Sequence, residues 1–126
     1  MKIADHQLKA ASIERSLNRC SVADYETVIE GAMLAGTHWF NVLLHRNGLS
    51  HEERDAMHAE FLTLAERRRL AIVVPDALQA LDEIERLRTR HVRGDMPDGE
   101  EAAAIALACL ARLRQAALAA PAAPPA

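Results

Sequence analysis

Thr37-His38-Trp39-Phe40-Asn41-Val42-Leu43-Leu44-His45-Arg46 closes a helix-length run from Asp24 to Asn47, and this run decides the fold. It holds the single Trp and one of the two Phe residues of the chain. Wound at about 3.6 residues per turn, Val28, Ala32, Ala35, Trp39 and Val42 form one apolar stripe. Ile29, Met33, Gly36, Phe40 and Leu43 form a second beside it. A helix apolar over so wide an arc belongs at the centre of its domain. Gly31 and Ala35, like Ala32 and Gly36, are small residues four apart and admit a neighbouring backbone closely. Asp24 stands where a cap is needed, and Asn47-Gly48 supplies a left-handed stop.

The flanking sequence reads as further helices. Asp5 can cap a first helix through Asn18, with Leu8, Ala11, Ile13 and Leu17 as its apolar side. Ser50 and Glu53 have capping-box spacing and are expected to open a third helix through about Arg68. Leu70 to Val74 then reads as a short apolar connection closed by Pro75. The fourth helix is expected from Asp76 to Val92, with Leu78, Leu81, Ile84 and Leu87 inside and Gly94 as its stop. Asp98 and Glu101 form a second box-like cap for the fifth, which carries Ile105, Leu107, Cys109, Leu110 and Leu113. No strand pattern or internal repeat appears. The expected fold is therefore all-α: an up-and-down bundle of about five helices in a single domain, residues 1–118. Residues 119–126 form an Ala/Pro-rich tail expected to be disordered, since it cannot bury enough to order itself.

Composition narrows the function classes. A 126-residue chain buries roughly two thirds of the surface it exposes when unfolded, enough for one core. Aromatics make up only 3%, so that core must be built from Ala, Leu, Ile, Val and Met, which suits closely packed helices. A net charge of −3 excludes a surface that grips nucleic acid everywhere, while leaving room for a local basic patch. Cys20 and Cys109 have no metal-ligand spacing and read as reduced thiols. The N-terminal residues lack a signal-peptide core, and no apolar run approaches ~18 residues. The expected location is cytoplasmic, with no membrane partner.

The order of these elements resembles the HEPN (higher eukaryotes and prokaryotes nucleotide-binding) domains over about residues 22 to 116. Tyr25-Glu26-Thr27-Val28-Ile29-Glu30-Gly31-Ala32, running on to His38-Trp39-Phe40-Asn41-Val42-Leu43-Leu44, looks like the family's early helix, in which a Tyr, small residues, aromatics and a His precede a Leu-Leu pair. Gly48-Leu49-Ser50-His51 looks like its following link, and Glu85-Arg86-Leu87-Arg88-Thr89-Arg90-His91-Val92-Arg93-Gly94 falls where members carry a leucine–arginine segment. The resemblance implies a helical bundle, commonly dimeric. It also implies either a ribonuclease built on an Arg, four to six intervening residues and a His, or a non-catalytic binder of partners or nucleotides. Arg86 and His91 meet the spacing. Leu87, however, stands where active members usually have a polar residue, and the downstream aromatic is absent.

Arg86, Arg88 and His91 are the candidate catalytic residues, and Arg90 and Arg93 are candidate phosphate or RNA contacts. Arginine forks suit phosphate, and an imidazole can move a proton at a ribose 2′-hydroxyl. On a regular helix Arg86 and His91 diverge by about 140°, whereas Arg88 and His91 share a face. The same cations also suit an ordinary helix C-terminus, whose dipole favours them. His38, Asn41 and His45 line one stripe, but imidazoles two turns apart lie ~10.5 Å apart along the axis and cannot share one metal alone. Ligands from another element are required, for example Asp55 with His58. Di-metal bundles use repeated Glu-x-x-His pairs, which this chain lacks, so no metal set is assigned; His51 and His58 read, like the others, as structural or dimer-lining. Arg67-Arg68-Arg69 reads as a polar helix end, since no aromatic is interleaved to stack a base.

The expected function is that of a non-catalytic accessory module: a homodimer that binds a protein partner, a nucleotide or RNA, and requires no cofactor. A toxin-type ribonuclease with an Arg-x4-His site at a dimer cleft is the first alternative, in a toxin–antitoxin setting. A His-rich metal-binding bundle is the second.

Overall fold

The structure is a computed structural model that describes residues 1–56 and 62–119. Its elements are α1 (Ile3–Leu17), α2 (Tyr25–Arg46), α3 (Leu64–Val73), α4 (Pro75–Arg88) and α5 (Gly99–Leu118). A π-helical turn, Thr89–Arg93, continues α4. The fold is all-α, as the sequence indicates, and no strand occurs among the described residues. His58 and the tail beyond Ala119 lie outside them.

The long second helix is the axis of the bundle. It packs on α5, α1 and α4, whereas α3 packs mainly on α4. Both predicted stripes of α2 are buried, Ile29, Ala32, Ala35, Phe40 and Val42 completely. Gly36 lets α5 and α4 approach: a Cβ there would lie 3.0 Å from Leu113 Cδ1 and 3.5 Å from Ile84 Cδ1. Leu78, Leu81, Ile84 and Leu87 of α4 are buried opposite. At the end of α2, Gly48 adopts φ +66°, where a side chain would be strained. Leu49 N–H then donates to Leu44 C=O at 2.9 Å and Gly48 N–H to His45 C=O at 3.3 Å, the paired bonds of a Schellman cap.

Several boundaries differ from the sequence reading for identifiable reasons. α1 starts ahead of Asp5, which sits within its first turn. Its inward face is Ile3, His6, Ala10, Ile13 and Leu17, while Leu8 is 69% exposed. Asp24 and Asp98 do occupy cap positions, but neither side chain makes a capping bond.

No helix starts at Ser50. Residues 50–56 form turns and irregular backbone, and α3 runs from Leu64 to Val73, joining the end of the expected third helix to the Leu70–Val74 run read as a connection. Thr63 and Glu66 supply its capping box, with Glu66 N–H donating to Thr63 Oγ1 at 3.1 Å and Thr63 N–H to Glu66 Oε1 at 3.0 Å. Ile105 is part-exposed, so α5 faces the core through Ala102, Ala106, Cys109, Leu110 and Leu113.

Candidate functional site

The polar residues of α2 that interrupt its apolar stripes converge on the segment before residue 57. Asn41 is 1% exposed and acts as a peptide-like clamp. Its Nδ2 donates to Ala56 C=O at 2.8 Å and to Thr37 C=O at 2.9 Å, and its Oδ1 accepts from Ala56 N–H at 2.7 Å. Fixing Ala56 places the adjacent Asp55 between α1 and α2. There Asp55 Oδ1 lies 2.9 Å from His6 Nε2 and 2.8 Å from His45 Nε2. The three donor atoms lie within 4.8 Å of one another. Both imidazoles are almost wholly enclosed, each side chain 2% exposed, and Asp55 is 22% exposed.

Each imidazole is also held at its far nitrogen. His45 Nδ1 faces Ser50 C=O at 3.1 Å and Ser50 Oγ at 3.0 Å. His6 Nδ1 faces His38 Nδ1 at 2.9 Å. The Met1 amine bonds Asp55 Oδ2 at 3.2 Å. Burial pushes the Asp55 carboxyl up, but hydrogen bonds from His6, His45 and the Met1 amine together outweigh it and hold the group at about 2. Burial, reinforced by the neighbouring His6 and Lys9, pushes the His38 imidazole below the ordinary histidine value. His6, His38 and Asp55 line one end of a groove of about 990 Å³ between α1 and α2. Ile13, Leu17, Met33 and Leu34 form its apolar wall, and Glu26, Glu30 and Arg88 lie along its edge.

The cationic segment is arranged differently. Arg86 is exposed and forks onto Glu83 of its own helix through Nε and Nη2. Arg88 points the other way, bonding Glu30 of α2 through Nε at 2.8 Å. His91 is buried, 9% exposed, with Nδ1 unpartnered. Glu85 Oε2 and Arg88 Nη1 are the other buried atoms without a bond among the described residues. Arg90 and Arg93 are exposed. The structure thus joins Arg88 to α2 and separates it from Arg86, which lines a shallow depression with Asp82 and Glu83. Of the arginine triplet, Arg67 makes a two-pronged bond to Asp82 of α4 at 2.7 and 3.1 Å.

Sequence reasoning found His45, the need for a ligand from another element and Asp55 as an example of one, but it missed His6. The available signal was register: His6 occupies the inward α1 position that shares a face with Ala10, Ile13 and Leu17. Cys20 and Cys109 are free thiols, and burial pushes the Cys109 thiol up, which disfavours its thiolate. No described helix is long and apolar enough to cross a membrane. No family model, curated protein or solved structure matches the chain.

Proposed function

We propose that this protein is a non-catalytic, HEPN-like accessory module that acts by protein–protein contact along the groove between α1 and α2. The observation that carries this reading is the contrast between its two candidate surfaces. The groove presents exposed Leu34 and half-buried Ile13 over a floor of buried Leu17 and Met33. In the cationic segment the three candidate catalytic residues are engaged or enclosed, with Arg86 on Glu83, Arg88 on Glu30 and His91 buried, while Arg90 and Arg93 stay exposed. Nucleotide or RNA is the poorer occupant of the groove. No Trp, Tyr or Phe is among its lining residues to stack a base, and Glu26 and Glu30 repel phosphate.

One observation favours the ribonuclease alternative. Glu85 Oε2 and His91 Nδ1 are buried without a hydrogen bond, Arg88 Nη1 has only a 3.6 Å ion pair with Glu85 Oε1, and unsatisfied groups beside a π-helical turn mark strained, functional places in other folds. That site would have to open before RNA could reach His91. Incubation of the purified protein with a structured RNA separates the two readings. The accessory reading expects an unchanged RNA ladder for the wild type and for His91→Ala alike. Cleavage by the wild type that His91→Ala abolishes, at an unchanged Tm, replaces it with the ribonuclease.

A further inference from the structure

His6 and His45 are each held at the nitrogen that faces away from Asp55. His45 Nδ1 lies 3.1 Å from the Ser50 carbonyl, which accepts, and 3.0 Å from the Ser50 hydroxyl, which accepts or donates. His6 Nδ1 lies 2.9 Å from His38 Nδ1. Both Nε2 atoms face the same Asp55 oxygen, at 2.9 Å from His6 and 2.8 Å from His45. Imidazoles that bind metals through one nitrogen are held in this way at the other, by a carbonyl or another acceptor.

We propose that His6, His45 and Asp55 form a binding site for one divalent first-row transition-metal ion of the zinc class. The donors come from three separate places, α1, the last turn of α2 and the segment before Ala56, so they converge only in the folded chain. Two imidazole nitrogens and one carboxylate oxygen are a known zinc-site donor set. A tetrahedral ion with bonds near 2.0–2.1 Å keeps its ligand atoms about 3.3 Å apart. Loading therefore opens each Asp55–imidazole contact by about half an ångström, a movement available to Asp55 because it lies on irregular backbone and is part-exposed. The fourth position looks onto the groove that His6 and Asp55 line, where water completes the shell. The ion ties α1 to α2 and to the segment beyond Gly48, and it stands independent of the partner-binding reading above.

The test uses the full chain without an affinity tag, stripped with chelator and titrated with Co2+, then with Zn2+ in competition. The expected result is one Co2+ per chain, with the intense visible bands of a tetrahedral or five-coordinate ion, displaced stoichiometrically by Zn2+. His45→Ala and Asp55→Asn are expected to lower affinity by more than roughly 100-fold, and His38→Ala by about tenfold, the range commanded by outer partners. His51→Ala, an exposed imidazole, is expected to bind as the wild type does. Asp55→Asn keeps the side-chain shape, and far-UV circular dichroism confirms its fold should His45→Ala unfold. Octahedral, weakly coloured Co2+, an affinity unaffected by Asp55→Asn, or no binding below millimolar metal overturns the proposal.

Discussion

Asn41 occupies a register that belongs to the core, one turn from Thr37 and His45, and its side chain replaces the peptide group that Ala56 would otherwise lack. Removing it leaves a buried N–H and a buried C=O without partners, each worth about 1–3 kcal/mol when orphaned. Asn41→Ala is therefore expected to lower unfolding stability by about 2–4 kcal/mol in urea titration. It is also expected to raise amide exchange across residues 50–56. A loss under about 0.5 kcal/mol, the range of ordinary surface changes, refutes the clamp. Glu14 makes a second such link, accepting from Trp39 Nε1 at 2.7 Å and bonding Arg114, so one carboxylate joins α1, α2 and α5. Glu14→Gln keeps the size but removes the charge that Arg114 faces. The half-exposed arginine limits the expected loss to about 1 kcal/mol, read as a small downward shift in Tm.

At the scale of elements, Ser50-x-x-Glu53 and Thr63-x-x-Glu66 offer the same capping pattern, and only the second starts a helix. The difference is tertiary. Ser50 spends its carbonyl and hydroxyl on His45 Nδ1, while Asn41 holds Ala56, so the first box is dismantled by contacts no local pattern encodes. The same contacts explain what was legible beforehand. α2, α4 and α5 follow from their apolar stripes, because burial along one helix face is written at fixed spacing. His6 joined to Asp55 across 49 positions is not. The π-helical turn is equally silent in sequence, and it replaces the regular winding on which the angle between Arg86 and His91 was reckoned. Thr63→Ala is expected to cost about 1 kcal/mol through the start of α3. The Thr63 backbone N–H and hydroxyl hold the Glu66 carboxyl below the ordinary glutamate range. A depressed folded value means that the stabilisation is fully present above that range and is lost as pH falls through the lower, folded one. The advantage of wild type over Glu66→Ala is thus expected to be constant near neutrality and to vanish in acid. An advantage that persists in acid shows that the carboxylate is not its source.

Across the whole molecule, apolar surface left uncovered is unevenly placed. The inward face of α5 is used up by the core, leaving Ile105 and Leu118 at its margins, 39% and 51% exposed. α3 exposes Leu64 and Ile72, 65% and 82%, on a short helix packed mainly on α4. α2 exposes Leu34, 55%, in the wall of the large groove, where half-buried Ile13 and the buried Leu17 and Met33 complete the apolar lining. Of these, the groove alone combines a concave shape with a rigid frame, since α1 and α2 flank it and Arg88–Glu30 ties α4 to its edge. A second copy meeting it about a twofold axis closes the assembly, whereas a ridge on α3 inserted into the groove of another copy would propagate without end. A specific interface buries about 800 Å² on each partner, which the groove and its rim must supply together. Light scattering at micromolar concentration is accordingly expected to give twice the chain mass. Leu34→Glu, which buries an unpaired charge at such an interface, is expected to give a monomer with an unchanged Tm. Ile72→Glu is expected to leave the dimer intact. A wild type that is monomeric throughout removes self-association and leaves the groove to a different protein. A dimer broken by Ile72→Glu and not by Leu34→Glu moves the interface to α3.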